Sequence, residues 1–159
     1  MKRIYTLLMA LVIGLIPAMA EETTVCLNGL YYLLNSETKT AKVYYDDTTY
    51  GQTDRKYPNL KDLVIPSKVT SDGQDYVVTE IADYTFYYCY NLWSVSFPET
   101  LTTIGNNAFA KCPNLRSVEL PETVTTIGKG AFASCQRLTS VTLPTTLTEI
   151  GDYAFCRCI

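Results

Sequence analysis

Apolar and polar positions in the second half of the chain recur every 23 residues. Leu101, Ile104, Phe109, Cys112, Leu115, Val118 and Leu120 return as Val124, Ile127, Phe132, Cys135, Leu138, Val141 and Leu143, with polar residues between them. A fixed period of this length predicts a solenoid, because each unit has one apolar face that only its neighbours can cover. Within a unit, Val118-x-Leu120 alternates as a strand does and Pro121 ends it, so one strand per repeat stacks into a parallel sheet. Val124-Thr125-Thr126-Ile127 reads as a second short strand of the same period. Gly105, Gly128 and Gly151 follow that strand, where a turn with positive φ is expected. Residues 106–111 and their equivalents read as one helical turn burying Phe86, Phe109, Phe132 and Phe155.

The pattern is modified upstream. Leu60, Leu63, Ile65 and Pro66 match Leu92, Val95, Phe97 and Pro98 at an offset of 32. The nine added residues centre on Asp72-Gly73 between β-formers, a hairpin signal spanning Val69 to Val78. Further upstream, Leu30–Leu34 and Ala41–Tyr45 flank a polar turn at 35–39, which predicts a two-stranded element. Terminal repeats need an atypical unit to cover the end of the stack, and this hairpin is placed to do so. Residues 46–58 read as a loop. The chain stops at Ile159 partway through a repeat, which raises the expectation of a fragment of a longer array, or of self-association through an open C-terminal repeat.

The string Ile-Gly-x-x-Ala-Phe-x-x-Cys-x-x-Leu-x-x-Val-x-Leu-Pro occurs in full from Ile104 and again from Ile127. It resembles the BspA-type leucine-rich repeats of bacterial surface and secreted proteins over residues 60–159. The segment at 31–41 is similar to the N-terminal hairpin such proteins carry. The resemblance implies a leucine-rich-repeat solenoid, mostly β with short helical turns and an N-terminal β-hairpin cap. It also implies a non-enzymatic extracellular protein, some of whose relatives bind matrix proteins or act in adhesion. Ala82 stands where the first repeat should carry glycine, which puts that turn's geometry in question.

Lys2 and Arg3 precede an apolar run from Ile4 to Ile16, then Pro17 and the small-residue site Ala18-Met19-Ala20. This reads as a secretory signal cleaved after Ala20. The division expected is therefore a leader at 1–20, cap and loop at 21–58, and solenoid at 59–159, with the product secreted or at the cell surface. No stretch approaches the ~20 apolar residues of a transmembrane helix, so no membrane insertion is expected. Removal of Lys2 and Arg3 leaves 11 Lys+Arg against 16 Asp+Glu, a net charge of −5, which argues against nucleic acid as a partner.

The chain contains no histidine, which removes the usual general base and the commonest metal ligand. Glu80, Glu119, Glu122 and Glu149 occupy variable polar slots and read as a solvated face. No catalytic residue, cofactor or metal is expected. Cys89, Cys112, Cys135 and Cys158 share the repeat period and should form a column spaced by about 4.8 Å. A column of core thiols, a disulfide between neighbours and a metal site all remain open at this stage, since parallel side chains are poorly aimed for bonding but the separation is within reach. Cys26 and Cys156 lie off the column.

The most suggestive cluster is Tyr87, Tyr88, Tyr90 and Trp93, where the next repeat has Ala110, Lys111, Pro113 and Arg116. Two readings stand side by side. The aromatics form an exposed patch for a protein partner on a host or neighbouring cell surface, tyrosine and tryptophan being the residues that dominate interfaces; or they pack beneath the cap. Trp93 shares the outward phase of its strand with Ser94 and Ser96 and is the residue expected to be exposed. At the level of the whole chain, the alternatives are a binding module for protein contact or adhesion, and a ligand-free spacer in a larger surface protein.

Overall fold

The computed structural model describes residues 22–45, 57 and 59–158. The leader expected at 1–20 lies outside the described residues, as does the loop expected at 46–58 apart from Tyr57. Twelve strands run in chain order: β1 (Glu22–Leu27), β2 (Leu30–Asn35), β3 (Thr40–Tyr44), β4 (Asp62–Val64), β5 (Lys68–Ser71), β6 (Gln74–Ile81), β7 (Ser94–Ser96), β8 (Thr103–Ile104), β9 (Ser117–Glu119), β10 (Thr126–Ile127), β11 (Ser140–Thr142) and β12 (Glu149–Ile150). One continuous sheet has the order β1-β2-β3-β6-β8-β10-β12, with β5 pairing β6. The Val-x-Leu strands form two separate pairs, β4 with β7 and β9 with β11. The single parallel sheet expected from those strands is therefore interrupted: between β7 and β9 one backbone bond remains, from Arg116 N–H to the Trp93 carbonyl at 3.3 Å. Phe97, where later repeats carry Leu120 and Leu143, stands edge-on to Phe109 beside that gap, with ring centroids 5.7 Å apart.

The cap continues the second-strand sheet. β2 pairs antiparallel with β3, and β3 runs parallel to β6 with Ala41 opposite Val78 and Val43 opposite Ile81. Alternation in β2 turns Leu30, Tyr32 and Leu34 into the core, and β3 adds Ala41 and Val43. A third antiparallel strand, β1, pairs with β2 across a tight turn in which Asn28 and Gly29 both have positive φ, so the cap is a three-stranded meander. The Asp72-Gly73 hairpin forms between β5 and β6, again with both turn residues at positive φ, as a two-residue turn matched to the strand twist requires.

The segments expected as helical turns are chains of tight turns instead. In a helix every N–H is satisfied along its own chain. Here alternate amides cross to the next repeat: Tyr84, Phe86 and Tyr88 N–H donate to Asn106, Ala108 and Ala110 carbonyls at 2.8–3.1 Å, and Asn107, Phe109 and Lys111 donate to Lys129, Ala131 and Ala133 at 2.7–2.9 Å. Two residues per turn are left-handed, at the period itself: Tyr84, Asn107, Gly130 and Tyr153 in one column, and Tyr88, Lys111, Ser134 and Arg157 in the other.

Gly105, Gly128 and Gly151 are absent from the positive-φ residues, which corrects the reason expected for them. They are glycine because the repeats approach too closely there: a Cβ on Gly128 meets the Asn106 nitrogen at 2.6 Å and the Gly105 carbonyl carbon at 2.7 Å. Ala82 makes the same backbone bond as its glycine counterparts, to Val43 at 2.8 Å against 2.8 Å from Gly105 to Ile81. The first repeat thus keeps the turn with a side chain present, because its neighbour at that point is the cap strand rather than another tight turn. Inside, Phe86, Phe109, Phe132 and Phe155 stack face to face with centroids 5.1–5.3 Å apart, and Tyr57 lies over the free face of Phe86 at 5.5 Å.

Candidate binding surface

The outward face of the Val-x-Leu strands is built from short polar residues. Ser94, Ser117 and Ser140 form one exposed row, with Ser94 Oγ donating to Asp62 at 2.5 Å. Trp93 heads the adjoining row and is 45 % exposed. Stacking of the repeats aligns that row through backbone bonds, Trp93 N–H to Lys61 at 2.7 Å and Thr139 N–H to Arg116 at 3.0 Å. Arg116 therefore stands next to Trp93, and its guanidinium covers the indole at 4.6 Å from the ring centroid. The result is an aromatic plate flanked by Lys61 and Arg116 and bordered by hydroxyls. Val64 on β4 adds an apolar contact surface, 69 % exposed.

The tyrosines sit elsewhere, on the turn side of the solenoid. Tyr87, Tyr88 and Tyr90 are half-buried and packed on each other, with centroids 4.5 Å apart for Tyr87–Tyr88 and 5.3 Å for Tyr88–Tyr90. Core positions under the cap are filled by other residues, including Leu30, Tyr32, Leu34 and Val43. Lys111, one repeat after Tyr88, lies 4.4 Å from its ring centroid and 5.4 Å from that of Tyr87, and donates to the Tyr88 hydroxyl at 2.5 Å. That hydrogen bond raises the lysine pKa and lowers that of Tyr88, so the ammonium is charged at any physiological pH. Trp93 and the tyrosines are thus two clusters on two faces, each joined to a cation from the following repeat. Neither cation stood out in the sequence, although the signal was present: Arg116 is Trp93 plus one period and Lys111 is Tyr88 plus one period.

The periodic thiols line the inside of the solenoid. Cys89, Cys112 and Cys135 are buried, Cys158 is partly exposed, and all are free thiols. The Cys112, Cys135 and Cys158 thiols donate to the Phe86, Phe109 and Phe132 carbonyls of the preceding repeat at 3.2–3.3 Å. Hydrogen bonding to the Cys135 and Cys89 thiols, together with burial, holds the Cys112 pKa well up, and burial raises that of Cys158. Cys26 and Cys156 are exposed. Among the described residues no three His, Cys, Asp or Glu side chains are placed to hold a metal. The repeat glutamates make local contacts: Glu80 pairs with Lys42 at 2.8 Å, and Glu122 accepts from the Thr145 amide and hydroxyl at 3.0 and 2.7 Å.

Residues 79–159 match the family model described as BspA type leucine rich repeat region, in six copies. A leucine-rich repeat protein from Bacteroides capillosus is 31 % identical, with a TM-score of 0.66 over 81 % of this chain and 87 % of that one. One from Bacteroides ovatus is 26 % identical with a TM-score of 0.52, over 65 % of this chain and 30 % of that chain. The pneumococcal vaccine antigen PcpA shares the fold at 18 % identity and a TM-score of 0.54, over 79 % of this chain and 39 % of its own. No curated protein matches the chain.

Proposed function

Because the chain belongs to the BspA-type leucine-rich-repeat family, we propose that it is an exported, non-enzymatic module that binds a protein partner at a host or neighbouring cell surface through its sheet face. One observation carries this reading: Trp93, a large aromatic, is held on an exposed strand face by Arg116 rather than folded into the core. Aromatic and arginine side chains are the groups that most often dominate protein interfaces, and the pair presents both at the entry to two neighbouring strands, Trp93 just before β7 and Arg116 just before β9. The leader-like pattern of residues 1–20 supports export. Tyr87, Tyr88 and Tyr90 extend the candidate surface onto the turn side.

The test is binding of the purified chain to a panel of immobilised extracellular-matrix and cell-surface proteins, beside Trp93→Ala and Trp93→Ala/Tyr90→Ala variants. Saturable binding that the Trp93 change weakens at least tenfold is the expected result. A folded, monodisperse chain that binds nothing on the panel overturns the reading in favour of a ligand-free spacer.

A further inference from the structure

The turn side carries a second feature, distinct from the Trp93 face. Tyr88, Lys111 and Ser134 occupy one left-handed column, and Tyr90, Pro113 and Gln136 the column beside it. Between them lies a groove of about 340 Å³ lined by those six residues. It spans three repeats, two steps of ~4.8 Å, which makes it about 10 Å long and sized for two pyranose rings. Its volume falls at the lower end of the usual range for small-molecule sites.

The lining is graded along the groove. At one end stand the Tyr88 and Tyr90 rings, and at the other the Ser134 hydroxyl and the Gln136 amide, with Lys111 in the middle. No carboxylate lines it. The ion pairs formed by lysines among the described residues are Lys42–Glu80 and Lys68–Asp75, so Lys111 brings positive charge without an acidic partner into a chain whose overall charge is negative. Aromatic rings receive the apolar C–H face of a sugar, while hydroxyl, amide and ammonium groups answer its rim of hydroxyls. The unneutralised ammonium calls for an anion on that sugar. Sulfate or phosphate would need several converging donors, and the turn amides are unable to supply them: Tyr88, Lys111 and Ser134 N–H already donate to Ala110, Ala133 and Cys156 carbonyls at 3.1, 2.7 and 2.7 Å. A single carboxylate matches one ammonium.

We infer that this groove binds a carboxylated sugar, a uronate or a sialic acid at the end of a short glycan, with one ring against Tyr90 and its carboxylate at Lys111, whose ammonium is held in place over the Tyr88 ring. The site goes beyond the protein-binding reading; it shares Tyr88 and Tyr90 with the turn-side extension of that surface but not Trp93, whose substitution separates the two.

Isothermal titration of the whole chain distinguishes the sources: one arm uses a hyaluronan tetrasaccharide, the other 3′-sialyllactose, each beside its carboxyl-reduced form. One of the two acids should bind at least tenfold more tightly than its reduced counterpart, and the arm that does so identifies the sugar. Lys111→Met should remove that preference, Gln136→Ala at an exposed position should weaken binding without affecting folding, and Trp93→Ala should leave it intact. Absence of binding in both arms, equal affinity for acid and reduced forms, or acid preference unchanged in folded Lys111→Met overturns the assignment.

Discussion

At the scale of single residues, backbone geometry decides more than side-chain chemistry. Gly128 has ordinary φ yet no room for a methyl group, since a Cβ would sit 2.6 Å from the Asn106 nitrogen. Gly128→Ala should cost about 2–3 kcal/mol by forcing two repeats apart, read as a lower guanidinium midpoint at unchanged slope. Ser134 shows the converse, a non-glycine residue at φ 61°. The left-handed conformation costs such a residue about 1–2 kcal/mol, so Ser134→Gly should raise stability by about 0.5–1 kcal/mol after the extra chain entropy of glycine is counted. The sequence displayed the periodic glycines but assigned them the wrong reason. A pattern records that a small residue is required and is silent on whether φ or proximity requires it.

The buried titratable groups give a pH prediction. The Cys112–Cys135 contact raises the pKa of the first thiol and lowers that of the second, so their contributions oppose, and the sign is set by Cys158, raised by burial, and Tyr32, lifted by burial from 10.0 to about 12. Above its unfolded pKa each of these last two groups ionises in the unfolded chain while remaining protonated in the fold, so the unfolded state binds fewer protons and stability falls as pH rises. Stability should hold below about pH 9 and decline from there toward pH 12, with Tyr32→Phe flattening the upper part of the decline, measured as denaturation midpoint against pH.

At the scale of elements, the repeat is held by what crosses between turns. Side chains join the backbone ladder: the Asn106 side-chain oxygen accepts the Lys129 backbone N–H at 2.8 Å, and the Asp83 carboxylate accepts the Asn106 backbone N–H at 2.6 Å. Asn106→Ala removes the acceptor and should cost about 1–2 kcal/mol, and Asn106→Asp should cost at least as much, because the side-chain amide that donates to Asp83 at 3.0 Å is replaced by a second carboxylate, both read by chemical denaturation. Strands, hairpin and repeat period were legible because alternation and Asp72-Gly73 are local signals. The stacked turns were not, because spacing of Phe and Cys fits a helical turn equally well, and only the neighbouring repeat determines where the alternate amides point. Strand β1 was legible in principle: Asn28-Gly29 between β-formers is the same hairpin signal as Asp72-Gly73, but Glu22–Leu27 exposes most of its length and lacks a strong apolar alternation.

At the scale of the molecule, the solenoid presents two chemically different faces, one of hydroxyls around Trp93 and one of tyrosines around Lys111. The four strands of the Val-x-Leu face offer only about 200–300 Å² at ~4.8 Å spacing, well below the roughly 800 Å² per partner of a stable protein interface. Tight binding of a protein must therefore extend past the strands, onto Val64 and toward the cap or along the repeats. The aromatic cluster was visible in the sequence as residues, but its division between faces was not, because only two residues separate Tyr90 from Trp93 while the chain turns a corner between them.

Trp93 is the single tryptophan of the chain, so its fluorescence reports on the proposed interface without labelling. The direct measurement is acrylamide quenching of that emission in the free chain and again with whichever panel protein binds. Recognition through Trp93 requires red-shifted, readily quenched emission in the free chain, and a blue shift with protection from quencher when the partner is added. Emission that stays equally accessible in the bound state would place the contact away from Trp93 and contradict the sheet face as the recognition surface.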